Sequence, residues 1–192
     1  VVLDTYQIFS AKPVSSLKDI EGSKVAGAGM NLRYLEGIKD AAGVRGGLTD
    51  FYNMLQTGLV DHAMLWPEAA KTFKIAEVAP YMLRVDIGAV NSKTITVNAD
   101  VWKKLPQEVK EVMLEVSVAY RDHVAALAMD RAQASRDAYV AAGGTIVEVS
   151  AEDRTAWANA MPNVAVEWAG KLDAAGEPLS LIHISEPTRR TT

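Results

Sequence analysis

Apolar positions recur along this chain with two different spacings, and the change of spacing marks out its elements. Ser15–Ser16 followed by LKDIEG reads as a capped short helix stopped by Gly22. Ser23 to Ala26 predicts a short strand, Gly27-Ala28-Gly29 a turn, and Met30 to Ala42 a helix closed by Gly43. Thr49 caps a helix over Asp50 to Thr57, and Gly58 stops it. Ala63–Leu65 is a short apolar strand. Trp66–Pro67 then opens a helix running toward Val78, with proline at a position that needs no N–H. Strand and helix alternating at this spacing predict an α/β fold with a largely parallel sheet.

The second half of the chain has longer elements. Ile87 to Asn98 is β-branched and threonine-rich and reads as a strand. From Pro106 to Ala142 neither glycine nor a second proline interrupts, and Val109, Val112, Met113, Val116, Tyr120, Val124 and Leu127 recur at three- and four-residue steps. Such a helix is on the order of 50 Å long, more than one small lobe needs. It either bridges two lobes or forms a coiled coil. The seam lapses into alanine after Leu127 and keeps no strict heptad, which favours bridging. Gly143–Gly144 ends it, Thr145 to Val149 returns as a strand, and Ser150 caps a helix that Pro162 interrupts.

Composition narrows the function classes. With 49% hydrophobic and 23% charged residues in 192, the chain has material for one substantial core. A formal charge of −4 gives no basic footprint, so nucleic acid is not an expected partner. No apolar run approaches the roughly 18 residues that span a bilayer, so no direct membrane insertion is expected. There is no cysteine, hence neither disulfide nor thiolate chemistry. His62, His123 and His183 lie far apart without metal-ligand spacing, and neither a metal nor a cofactor is expected.

Motifs for chemistry are thin. Gly27-x-Gly29 between a strand and a helix resembles part of a dinucleotide fingerprint, but Leu32 stands at its third position. The turn leaves N–H groups near Met30 and Asn31 as a small anion-friendly corner. Asp61–His62 has no nucleophile beside it and reads as a solvated turn after Gly58. His123, between Tyr120 and Leu127 on the apolar side of the long helix, reads as structural. No catalytic constellation emerges, and the expectation is a protein that is not an enzyme. Trp66, at the mouth of a strand and just before a helix, is either core or the wall of a ligand crevice.

The ends of the chain carry expectations of their own. The sequence begins at Val1 in mid-pattern, which suggests that an N-terminal segment precedes it. LSLIHISEPTR, from Leu179 to Arg189, matches the translation of a transposase adapter used in sequencing libraries. Residues 179–192 are therefore expected to be an artefactual tail, with natural sequence ending near Pro178.

Several segments, in one order, resemble a known family. FSAKPVSSLKDIEGSKV resembles the start of the second lobe of the TRAP-transporter solute-binding proteins of the DctP type, with its Lys-Pro turn, short "SLxDLKG" helix and "KIR" strand. TDFYNMLQTGLVD is similar to their "SEVYxALQTGxVDG" segment. TVNADVWKKLPQEVKEVM is similar to "VSNxxxxKLPxDLQxxV", and AAGGTIVEVS to a later "xxGxxV" strand. The resemblance spans essentially residues 1–178. It implies a periplasmic-binding-protein-like α/β fold of the TRAP type, lacking its first lobe. Residues 1–90 would form the second ligand-binding lobe, 91–142 a crossing strand and bridging helix, and 143–178 a return strand with C-terminal helices.

The resemblance also implies a function. Such a protein sits in the periplasm, closes around a small organic acid and delivers it to the TRAP membrane permease subunits. Two rivals are a ligand-sensing receptor feeding a sensor kinase and an α/β enzyme with its active site in the missing N-terminal part. At the implied site this chain departs from the family pattern. Ala26 follows Lys24-Val25 where the family has its carboxylate-pairing arginine, and the second family arginine has no counterpart around Tyr6-Gln7. Leu48 replaces an aromatic residue, and Trp66 falls at the asparagine of "QENP". A bidentate arginine–carboxylate pair is strong and directional, and alanine cannot imitate it. The resemblance thus names Trp66, Arg33, Asn31, Leu48, Ala26 and Gln7 as candidate ligand-binding positions. Either Arg33 and the nearby N–H groups supply the positive charge, or the ligand has an apolar or aromatic body that stacks on Trp66.

Overall fold

The computed structural model describes residues 4–88 and 94–176. One six-stranded sheet organises them: β1 (Tyr6–Ser10), β2 (Lys24–Gly27), β3 (Ala42–Arg45), β4 (His62–Leu65), β5 (Tyr81–Ile87) and β6 (Thr145–Glu148). Their spatial order is β3-β2-β4-β1-β5-β6. The β2–β3, β2–β4 and β5–β6 pairs are parallel, while β1 lies antiparallel to both β4 and β5. Five strands therefore point one way, and β1 alone points the other.

Alternation along the strands sends side chains to two separate apolar layers. Phe9, Ala26, Ala63 and Leu65 face one side, where α1 (Phe51–Gln56), α2 (Pro67–Thr72) and Tyr139 near the end of the longest helix cover them. Ile8, Val25, Met64 and Leu83 face the other, under a 3-10 segment at Gly29–Gly37 and Trp157. Both layers are dry: Phe9, Ile8, Val25 and Met64 are wholly buried.

The remaining helices are α3 (Ala99–Lys104), α4 (Gln107–Ala141), α5 (Ala151–Ala160) and α6 (Val164–Ala174). The long helix, its glycine stop and the break around Pro162 agree with the sequence pattern. So does Ser150, whose hydroxyl accepts a 3.0 Å bond from Asp153 N–H at the start of α5. The α/β class and largely parallel sheet agree as well.

Three elements differ from expectation. The predicted helix Met30–Ala42 is a 3-10 segment followed by the edge strand β3. Trp157 donates its Nε1–H to the Tyr34 carbonyl at 2.8 Å and lies against Gly37, where an added Cβ would meet Trp157 Cδ1 at 2.6 Å. Asp40, at φ 57°, then turns the chain into β3. The predicted strand Ile87–Asn98 is displaced: β5 is Tyr81–Ile87, and residues 94–98 are exposed without regular structure. β-Propensity there lacks a neighbouring strand among the described residues; residues 89–93 of that expectation lie outside them. Finally, α2 stops at Thr72, because Lys74 adopts a left-handed conformation (φ 54°) before a separate 3-10 turn at Ile75–Glu77. The adapter-like tail from Leu179 also lies outside the described residues.

Candidate functional site

The parallel strands deliver the carboxyl ends of β2 to β6 to one rim, where β1 begins. In open α/β sheets, ligands bind outside the carboxyl ends of the strands. Gly27–Asn31, Arg45, Trp66, Tyr6, Asp86 and Glu148 all belong to this rim.

Trp66 is neither plain core nor plain crevice. It is half-buried at the end of β4, touches both apolar layers, and meets Tyr6 edge-on at 5.5 Å between ring centroids. Its extended backbone (φ −97°, ψ 157°) hands the chain to Pro67 at the first turn of α2. Asn31 is buried and fully engaged: its Oδ1 accepts from Ala28 N–H at 2.8 Å, and its Nδ2 donates to the Met64 carbonyl at 3.4 Å. It ties the turn after β2 to β4 and so shapes the rim from within. Leu48 is half-buried against the layer containing Phe51, and Ala26 is wholly buried in that layer.

Gln7 and Arg33 are committed elsewhere. Gln7 is wholly buried at an irregularity between β1 and β5, where the register shifts between Tyr6 and Ile8. Its Oε1 accepts from Val85 N–H (2.9 Å) and Asp86 N–H (3.0 Å), and its Nε2 donates to Asp86 Oδ1 (2.9 Å) and Thr5 Oγ1 (3.0 Å). These bonds satisfy backbone groups that the irregular ladder leaves free. Arg33 reaches away from the strands: Nε lies 2.6 Å from Glu36 and Nη2 2.7 Å from Glu167 on α6. It lines a cleft of about 280 Å³ with Met30, Tyr34, Met161, Pro162 and Val164, between the 3-10 segment and the α5–α6 junction.

The β5–β6 side of the rim carries a dense ion network. Arg84 and Arg154 approach Asp86 Oδ2 at 3.2 and 3.5 Å, and Arg84 also holds Glu148 at 3.2 Å. Asp4 lies 3.5 Å from Arg136, and burial raises its carboxyl above the usual range. On the β2–β3 side, Arg45 is exposed at the end of β3 in register with Gly27.

Two histidine readings change. His62 does not sit in a solvated turn. It is the first residue of β4, is 1% exposed, and burial pushes its pKa down to about 4. It lies at the amino end of the sheet, away from the rim. His123 is exposed on α4 and holds no structural position. Among the described residues no group of histidine, aspartate and glutamate is placed to hold a metal ion. No helix there is long and apolar enough to cross a membrane.

Sequence reasoning missed Arg45, Tyr6 and Asp86. YQIFS and YMLRVDI are short aromatic and β-branched runs, a usable strand signal for β1 and β5. AGVR carries no such signal, and only pairing with β2 makes it a strand.

A family profile, "DctP: Bacterial extracellular solute-binding protein, family 7", matches residues 4–171. The chain belongs to this family. No relative among curated proteins matches it. The fold is similar to a TRAP periplasmic solute-binding protein from Desulfovibrio salexigens with bound orotic acid: TM-score 0.79, 20% identity, covering 94% of this chain and 58% of that one. A Sulfitobacter protein with bound β-D-galacturonate gives TM-score 0.75 and 21% identity over 94% of this chain and 59% of its own. A Rhodoferax ferrireducens protein with bound malonate gives 0.74 and 22%, over 94% and 58%. The chain thus spans less than two thirds of these solved relatives. In this DctP chain the rim position after Lys24-Val25 is a buried alanine, and the guanidinium of Arg33 is held by two carboxylates.

Proposed function

We propose that this chain is part of an extracytoplasmic, periplasmic solute-binding component of a TRAP-type transporter, and that it captures a small organic acid for the membrane permease. The observation that carries this reading is the match of the DctP profile to residues 4–171, together with a sheet whose carboxyl rim gathers Trp66, Tyr6 and the Gly27–Asn31 turn. Among the described residues, the rim offers binding surface without a metal cluster or a nucleophile paired with a base, which supports capture rather than catalysis.

Trp66 supplies a flat apolar wall, and Tyr6 beneath it fixes its orientation. Such a wall favours an acid with an apolar or aromatic body over a small aliphatic diacid. Residues 1–90 act as the second lobe, and the chain from 91 to 142 links it to the lobe that completes the cleft. The free half of α4, with Val112, Met113 and Val116 exposed, is the surface on which that lobe rests. Closure by hinge bending then encloses the ligand.

Ligand-detected NMR with orotate, D-galacturonate and malonate, each against its neutral counterpart, tests this reading. Uracil, D-galactose and malonamide serve as the counterparts. Binding that prefers the acids is expected, with orotate strongest and weakened about tenfold or more in Trp66→Ala, as for loss of a stacking wall. No preference for any acid over its counterpart would overturn it.

A further inference from the structure

The geometry points to Arg45 as the carboxylate anchor of the rim. This inference rests on the reading of the chain as an organic-acid binder, and it specifies which positive charge that site uses.

Arg33 pairs with Glu36 and Glu167, Arg84 with Asp86 and Glu148, and Arg121 with Asp122. Arg131 pairs with Glu68, Arg136 with Asp4, and Arg154 with Asp86. Among the described residues, Arg45 is the arginine that has no acidic side chain within 4.0 Å. A guanidinium already held by carboxylates has fewer of its five N–H donors and less uncompensated charge to offer a further one. An unheld one keeps its planar fork of donors open.

Arg45 ends β3 in register with Gly27 at the end of β2, and β2 is in turn paired with β4, which leads into Trp66. Two interstrand spacings separate the Arg45 and Trp66 strands, and the β2–β4 register of Ala26 with Ala63 sets Trp66 two residues beyond the level of Arg45, so the two backbones lie roughly 12 Å apart. That distance suits a small acid with its ring on Trp66 and its carboxylate on Arg45.

The two side chains also share a face. An added Cβ on Gly43 would meet Leu32 and Leu35, and one on Gly46 would meet Met54 and Phe51. By alternation Arg45 projects with Gly43, on the side of the 3-10 segment. Trp66 contacts Tyr6, which belongs to the layer on that same side. Between them lies the Gly27–Ala28 turn, over which Leu32 packs: an added Cβ on Gly27 would meet Leu32 Cδ2 at 2.5 Å, so an acid spanning Arg45 and Trp66 lies across the half-buried Leu32. The Asp86 network stands on the far side of β1, and the Asp50 carboxylate beyond the end of β3 accepts from Gly47 N–H at 3.0 Å and lies more than 4.0 Å from the Arg45 guanidinium.

The test uses the full chain, with orotate and uracil as probes. Arg45→Gln, Arg45→Lys and Arg33→Gln are compared with the wild type by titration and by the arginine Nε–Hε resonances. Expected are an Arg45 resonance that moves with orotate but not with uracil, and a loss of orotate affinity of about 10- to 100-fold in Arg45→Gln, as for a charged hydrogen-bonded pair. Uracil affinity and melting temperature should stay unchanged, because Arg45 is exposed. Arg45→Lys should recover part of the preference as a point charge. Arg33→Gln should keep it. A wild type that prefers orotate, with the preference intact in Arg45→Gln, overturns the anchor alone. A wild type that prefers no acid over its neutral counterpart overturns the organic-acid reading, and the anchor with it.

Discussion

The two halves of α4 invert what their compositions suggest. The half rich in valine and methionine, Gln107 to Arg131, contains no buried residue: Val112 is 57% exposed and Val116 58%. The alanine-rich half that follows buries Ala132, Ser135 and Tyr139. Small residues let that half approach α2 and the sheet closely. Tyr139 then fills the gap, edge-on to Phe9 at 5.4 Å, with its hydroxyl donating to the Ala79 carbonyl at 2.6 Å. Hydrophobicity measures the wish for cover, whereas burial records which neighbour is present. The exposed stripe is the kind of surface that soluble proteins reserve for another body.

Tyr139→Ala should have the largest effect. It removes a buried ring and leaves the Ala79 carbonyl unpaired, so a loss of about 3–5 kcal/mol is expected in chemical denaturation. A loss of under 1 kcal/mol would mean that this half of the helix does not lean on the sheet.

Acid offers the next largest effect. His62 stays neutral in the folded sheet down to about pH 4, whereas the unfolded chain protonates it near 6.5. The unfolded state therefore binds the extra proton across this window. The stability this group confers is complete above 6.5 and falls by roughly 3 kcal/mol as pH drops to 4. Hydrogen exchange should show residues 132–141 losing protection in that window, while residues 107–131 remain weakly protected throughout. His62→Gln should flatten the profile; an unchanged profile would place the titration elsewhere.

Gly144→Ala sharpens the same contact on a smaller scale. The new methyl would stand 2.3 Å from the Tyr139 ring, so a loss of about 1–3 kcal/mol is expected from overpacking. Pairing it with Tyr139→Ala should relieve that cost, which a double-mutant cycle would reveal. The smallest effect belongs to the free half. Val112→Ser with Val116→Ser should shift the stability of this chain by no more than about 0.5 kcal/mol, while reducing binding of an apolar dye. A large destabilisation there would show that the stripe is already packed.

How much was legible differs from element to element. α4, the Ser150 cap and the break at Pro162 follow from local rules: helix periodicity, a short polar side chain facing free N–H groups, and a missing donor. β3 was not legible, because Ala-Gly-Val-Arg gains its strand geometry only by pairing with β2. The candidate site was legible in part. Trp66 stands at the strand mouth as read, but Gln7 and Arg33 are committed to partners at sequence separations of 79 and 134 residues. Residue type alone cannot tell a free polar group from one already satisfied.

The α/β class, the long helix, the glycine stops at Gly22, Gly58 and Gly143 and the family pattern were all readable from the chain, since each depends on chemistry within a few residues, whereas Gly43, read as a helix stop, lies inside β3. Which charges remain open and which apolar surface is covered depends on how the distant segments assemble. That assembly buried His62 in a strand, fastened Gln7 into an irregular ladder, and left Arg45 unpaired at the rim. Burial and pairing are set by which distant segments arrive at the same place, and no local pattern carries that information.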